Sequence, residues 1–144
     1  MTTKKSLRKN VERLLSSGKY LIRGDCEGRI SLGEAGGTWA TNDLDNALIY
    51  GDQIWVVQKP QRILKLEIDD AFAKYVDQNF GKEYSFDDAT PEEWEKLREG
   101  LLRDGYEALE ITAPVWEDVQ NFWILERPKL LSVSEALLDL AHSR

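Results

Sequence analysis

The sequence predicts an α+β fold, with mostly antiparallel strands flanked by three or four helices. Two observations carry this. Helical and strand-like patterns are interspersed without the regular alternation of a doubly wound sheet, and several strand-like runs follow one another directly. A third observation marks helix starts: Thr90 with Glu93, and Ser132 with Glu135, have capping-box spacing.

Leu7, Val11, Leu14 and Leu15 recur at helical spacing and predict an amphipathic helix that Gly18 ends. "YLIR" at 20–23 reads as a short buried strand finishing on Arg23, and Gly24, Gly28 and Gly33 mark a loop leading to "GGTWAT". Asn42 or Asp43 caps a short helix running through Ala47 and Tyr50, with Gly51 closing it. "QIWVV" and "RILKLEI" are consecutive strands separated by "QKP", whose proline interrupts pairing. Asp69 starts a helix that turns Phe72, Tyr75, Val76 and Asn79 to one face and stops at Gly81.

Pro91 follows Thr90 at the first position of the next helix, which faces Trp94, Leu97 and Leu101 inward and ends at Gly105. "YEALEI", "NFWILE" and "KLLSV" are three further strands, and the final helix turns Leu137, Leu138 and Ala141 inward. The length of residues 69 to 104 between strands suggests an insertion. Its acids, notably Asp87, Asp88, Glu92 and Glu93, favour a basic partner.

A chain of 144 residues suits one domain, 1–144, and its 42% hydrophobic content with five Trp is enough for a core. With 26 acidic against 19 basic side chains, spread along the chain, the charge of −7 disfavours general nucleic-acid binding. Cys26 is the sole cysteine, so neither an intramolecular disulfide nor a cysteine-based zinc site is expected. The first 18 residues lack the apolar block of a signal peptide, and no run approaches the ~20 apolar residues of a membrane span. The expectation is a cytoplasmic protein in a reducing compartment, with no membrane partner.

The usual catalytic inventory is nearly empty. His142, the sole histidine, lies close to the C-terminus, which argues against histidine acid–base catalysis and a His–metal cluster. "GEAGG" at 33–37 lacks the lysine and following helix of a phosphate cradle. What remains is a spaced polar series: Arg23, then Thr38 and Thr41 flanking "WA", then Tyr50, then Glu117 and Asp118. An arginine fork can hold a diphosphate, threonine hydroxyls can orient an acceptor, and a carboxylate can stabilise a developing oxocarbenium ion. Trp39 or Tyr50 can stack on a flat heterocycle. Each residue also has a plain structural role: Arg23 paired with a nearby acid, Thr41 as a cap, Tyr50 in the core, and Glu117 and Asp118 in a solvated loop.

The order of this series resembles the ADP-ribosyltransferase superfamily. "YLIRG" is similar to its first strand ending in Arg-Gly, and "GGTWATNDLDNALIYG" to its glycine, aromatic and Ser/Thr leading to a helix finishing Ala-x-x-Tyr. "IWVVQKPQRILKLEI", "GYEALEI", the strand "FWIL" and the late "LLSV" continue the likeness over roughly residues 20 to 133. The resemblance implies a split-sheet core with NAD bound, as substrate and without a metal, in a cleft between two sheets. Arg23 and Gly24 would bind NAD, Thr38 and Thr41 compete for the Ser/Thr position with Thr41 favoured, and Trp39 and Tyr50 would sandwich nicotinamide. The family's glutamate lies just before the penultimate strand, where this chain has Gln120 and Asn121, so Glu117 and Asp118 are the nearest carboxylates.

Two functions are therefore expected in competition. One is mono-ADP-ribosylation of a macromolecular acceptor, a protein above all, by an effector, toxin or phage-encoded modifier. The other is a catalytically inactive binding or inhibitory protein on the same scaffold, working through an acidic, Trp-rich surface.

Overall fold

The structure, a computed structural model, describes residues 4–25, 38–68, 70–81, 90–116 and 119–142. In chain order they form α1 (Lys4–Ser16), β1 (Tyr20–Asp25), β2 (Thr38–Thr41), α2 (Leu44–Leu48), β3 (Gln53–Gln58) and β4 (Ile63–Glu67). Then come α3 (Asp70–Phe80), α4 (Pro91–Arg103), β5 (Ala108–Thr112), a 3-10 turn (Pro114–Trp116), β6 (Asn121–Ile124) and α5 (Val133–His142). This is an α+β fold of mostly antiparallel strands, the class the sequence predicts. The chain divides into two units, one of Met1–Ser31, Ala40–Lys59 and Pro128–Arg144, the other of Leu32–Trp39 and Pro60–Arg127.

In the first unit β1 pairs antiparallel with β3 along its whole length, Tyr20 opposite Gln58 and Asp25 opposite Gln53, and antiparallel with β2 at Ile22 and Thr41. One face of these strands, with Tyr20, Ile22, Ile54 and Val56, packs on Val11 and Leu14 of α1, Leu44 and Ala47 of α2 and Ala136 of α5. The predicted strand "KLLSV" is reduced to one bridge, in which Leu131 and Val56 exchange backbone hydrogen bonds of 2.8 Å. Its neighbours cannot continue the ladder because Ser132 is already taken up in capping α5. Ser132 N donates to Glu135 Oε1 and its hydroxyl accepts from Glu135 N. The inner face of α5 is also corrected. Val133, Ala136, Leu137 and Leu140 meet the core, whereas Leu138 is 63% exposed and Ala141 is exposed, because Ala136 sets the inward row at a spacing of three and four.

In the second unit β5 pairs antiparallel with β6 and parallel with β4, Ile63 opposite Ala108 and Glu67 opposite Thr112. A parallel neighbour requires a long crossover, and residues 69 to 104 supply it. They are therefore not an appended insertion: Phe72 and Val76 of α3 and Leu97 and Leu101 of α4 are fully buried and form a core with Leu109, Ile111 and Trp123. The predicted helix start at Asp69, and Asp87 and Asp88, lie outside the described residues. The Thr90 capping box is present in full, with Thr90 N donating to Glu93 Oε1 and Glu93 N to Thr90 Oγ1. Gly105 ends α4 with a φ of 91°, a left-handed conformation that costs other residues a Cβ clash.

Two predictions follow from these local contacts. Thr90→Ala removes the α4 cap and costs about 1 kcal/mol, read as a lower urea midpoint with unchanged slope. Tyr20 is buried and its hydroxyl donates to Asp139 of α5; burial first, and the hydrogen bond second, push its phenol up to about 12. Between its ordinary value of 10.0 and about 12 the native state holds a proton the unfolded chain has released, so stability falls as pH rises through that window. Below that window the contribution is fully present. The stability difference between wild type and Tyr20→Phe, which removes the ionisable group, should narrow as pH rises across it.

Candidate functional site

Arg23 does not end its strand. β1 runs on to Asp25, so the alternation of side chains places Leu21, Arg23 and Asp25 on one face, and Tyr20, Ile22 and Gly24 on the face that packs on the helices. Residues two apart on one face of a strand are neighbours, and the pair uses this. Arg23 Nε donates to Asp25 Oδ2 and Nη2 to Oδ1, both at 2.8 Å. Arg23 is 7% exposed and Asp25 1%. The planar fork that could grip a diphosphate grips a carboxylate instead, in the bidentate geometry that makes such pairs strong. The pairing of Arg23 with a nearby acid was an expected structural role, but a strand ending at residue 23 hides the i+2 relation that makes Asp25 the partner.

Gly24 faces the other way, toward α2. A Cβ there would stand 1.9 Å from the Ala47 carbonyl oxygen and 2.9 Å from that of Gly51. Both obstacles are backbone, so the glycine is required by the seating of α2 on β1.

Thr41 stands opposite Ile22 in the β1–β2 pair and so lies on the helix-packed face, the reverse of the face that carries Arg23. Its hydroxyl accepts from Asn46 Nδ2 at 3.1 Å and from Asp43 N at 3.3 Å, while Asp43, the N-cap of α2, accepts from Asn46 N at 2.8 Å. This network turns the chain from β2 into α2. Thr38, 1% exposed, points to the opposite side of β2 from Thr41.

Tyr50 follows α2 and is not a core residue: it is 68% exposed, next to Ile49 at 76%. The turn that carries them is held by backbone bonds, from Ile49 N to Asn46 O, Tyr50 N to Ala47 O and Gly51 N to Leu48 O. Asp45, one helical turn before Ile49, and Asp52 are exposed beside them. Two large apolar side chains thus stand out on a fixed turn with an acidic border.

Trp39 belongs to the second unit. It stacks on Trp123 with ring centroids 6.1 Å apart at 16°, and meets Trp94 edge-on at 6.3 Å; Trp94 in turn contacts Trp123 at 5.1 Å and Phe72 at 5.8 Å. Trp123 is buried and Trp39 and Trp94 are partly buried against it, so three of the five tryptophans pack on one another, as indole rings do where they bury most area. Glu117 and Asp118 lie outside the described residues. Sequence reasoning also missed Glu110, a buried carboxylate in the middle of β5 that accepts from Gln120 Nε2 at 2.6 Å, with Lys65 Nζ at 3.8 Å. The alternation in "EALEI", acid and alanine against leucine and isoleucine, was the available signal.

Among the described residues no group of His, Cys, Asp and Glu could hold a metal ion, and no helix is long and apolar enough to cross a membrane. No protein-family model and no curated protein matches the chain. A solved structure, the crystal structure of an anti-CRISPR protein, is similar to 77% of this chain and 92% of that one, at 22% sequence identity and a TM-score of 0.48.

The ion pair predicts a non-additive mutational pattern. Arg23→Ala or Asp25→Ala breaks a buried bidentate ion pair and should cost about 3–5 kcal/mol in urea unfolding, whereas Arg23→Met with Asp25→Leu should recover most of that loss. Gly24→Ala should cost about 1–3 kcal/mol by forcing α2 off β1.

Proposed function

We propose that this protein acts by binding a macromolecular partner, a protein with a basic surface, and that it does so without catalysis. The observation that carries this reading is the exposed Ile49–Tyr50 turn bordered by Asp52 and by Asp45, which is itself paired with Arg8. An apolar centre within a charged rim is the anatomy of a protein interface, with tyrosine among the preferred anchors. The commitment of Arg23 to Asp25 and of Trp39 to a core cluster supports the same reading, since both residues already have structural work.

A second reading is mono-ADP-ribosylation with NAD as substrate. It is favoured by one observation: Arg23, Gly24, Thr41 and Tyr50 all come from β1, β2 and the α2 turn of the same unit. In that reading Arg23 would have to exchange Asp25 for a diphosphate, and Glu117 or Asp118 would stabilise the positive charge that develops as nicotinamide leaves.

One set of measurements separates the two. A thermal-shift titration of the full chain with NAD should give no rise in Tm up to roughly millimolar concentration, because only ligand binding to the native state raises it. Ile49→Asp and Tyr50→Ala, both at exposed positions, should fold normally and lose a partner captured by wild type, by about 2 kcal/mol or about thirty-fold in affinity. A rise in Tm with NAD, together with nicotinamide release that Glu117→Gln or Asp118→Asn abolishes, would overturn the binding reading in favour of the transferase. Arg23→Ala is the wrong variant for this purpose, because it breaks a buried ion pair whatever the function.

A further inference from the structure

The charge of this chain is distributed unevenly over its elements. α1 carries Lys4, Lys5, Arg8, Lys9 and Arg13 against one acid, Glu12, a charge of +4 that leaves −11 on the rest of a chain of −7. Helical spacing sorts these residues. Val11 and Leu14 are fully buried and Leu7 and Leu15 pack against the same core, whereas Lys5, Lys9 and Arg13 recur every four residues on the outer side and are exposed. At a rise of 1.5 Å per residue that row is about 12 Å long.

Neither ion pairing nor helix stability explains the row. Arg8, beside it, is held by Asp45 at 2.6 Å, but among the described residues no carboxylate pairs with Lys5, Lys9 or Arg13. Lys5 occupies the first turn, at the positive end of the helix dipole, with no acid there to offset it. Three other helices follow the opposite rule: α2 places Asp45, α4 places Glu92 and Glu93, and α5 places Glu135 in the first turn.

A lipid surface is the poorer match. An interfacial helix sinks its apolar face into the bilayer, and the apolar face of α1 is already spent on the protein core. A polyanion with evenly spaced charges needs only the outer row. A nucleic-acid strand presents one phosphate per 3.4 Å of duplex axis, so 12 Å of helix faces about three or four of them.

We propose that the outer face of α1 docks on the sugar–phosphate backbone of a nucleic acid through Lys5, Lys9 and Arg13. The contact is independent of base sequence, because phosphates carry none. The negative remainder of the chain repels the same backbone and confines the contact to this helix. The inference goes beyond the reading of Ile49 and Tyr50 and stands apart from it.

The test is fluorescence anisotropy of a labelled mixed-sequence DNA duplex titrated with the full chain. Three phosphate contacts predict a log–log salt slope of about −2.7, or about a 40-fold loss of affinity between about 50 and 200 mM salt. The triple variant Lys5→Gln, Lys9→Gln, Arg13→Gln, checked for folding by circular dichroism, should lose binding, whereas Ile49→Asp should keep it. The proposal is overturned by no duplex binding at the lowest salt, by a triple variant that binds like wild type, or by binding to phosphatidylserine vesicles in place of the duplex.

Discussion

The first unit depends on burying a charged pair inside β1. This strand is hydrogen-bonded on both edges and all six of its residues are buried, so Arg23 and Asp25 are largely shut off from bulk water and pair with each other. The pair does more than neutralise charge. A slip of β1 by one residue would turn Arg23 and Asp25 into the apolar face that packs on α1, α2 and α5, and would turn Ile22 out of it. Gly24 adds a second lock from the opposite face, because only a residue without Cβ can sit under the carbonyl of Ala47. Three consecutive residues thus specify register, pairing and the seating of α2.

The helices were legible because their signals are local. Thr90, Pro91 and Glu93 lie within one turn, and the capping box formed where its spacing predicted it. Pairing partners were not legible in the same way. "RILKLEI" has the same alternation whether its neighbour is parallel or antiparallel, and the choice of β5 depends on α3 and α4 burying Phe72, Val76, Leu97 and Leu101 between the two strands in sequence. The length of residues 69 to 104 suggested an insertion, but the apolar rows on its helices are what place it. Composition marked five tryptophans; only packing shows that Trp39, Trp94 and Trp123 meet one another.

The candidate site divides along the same line. Residue types and their order were readable, but which side of a strand each faces depends on where the strand stops. With β1 ending at Arg23, the arginine could be read as a ligand group or as the partner of a nearby acid; extending the strand by two residues identifies Asp25 as that acid. Thr41 shows the converse. Its position two residues before Asp43 already suggested a cap, and the structure joins both to Asn46 in one network.

Net charge averages over elements that folding separates. Five of the basic residues fall in the 13 residues of α1, and the fold then sorts them by angle around the helix. Attachment of α1 to the unit rests on Val11, Leu14, Leu7 and Leu15, since its ion pair between Arg8 and Asp45 is exposed, and pairs of that kind contribute little. The outer row makes no ion pair among the described residues, and Lys5 in the first turn opposes the helix dipole. The proposed contact with a nucleic-acid backbone asks for such a row: cations that no ion pair among the described residues uses, on a helix whose apolar face is already packed.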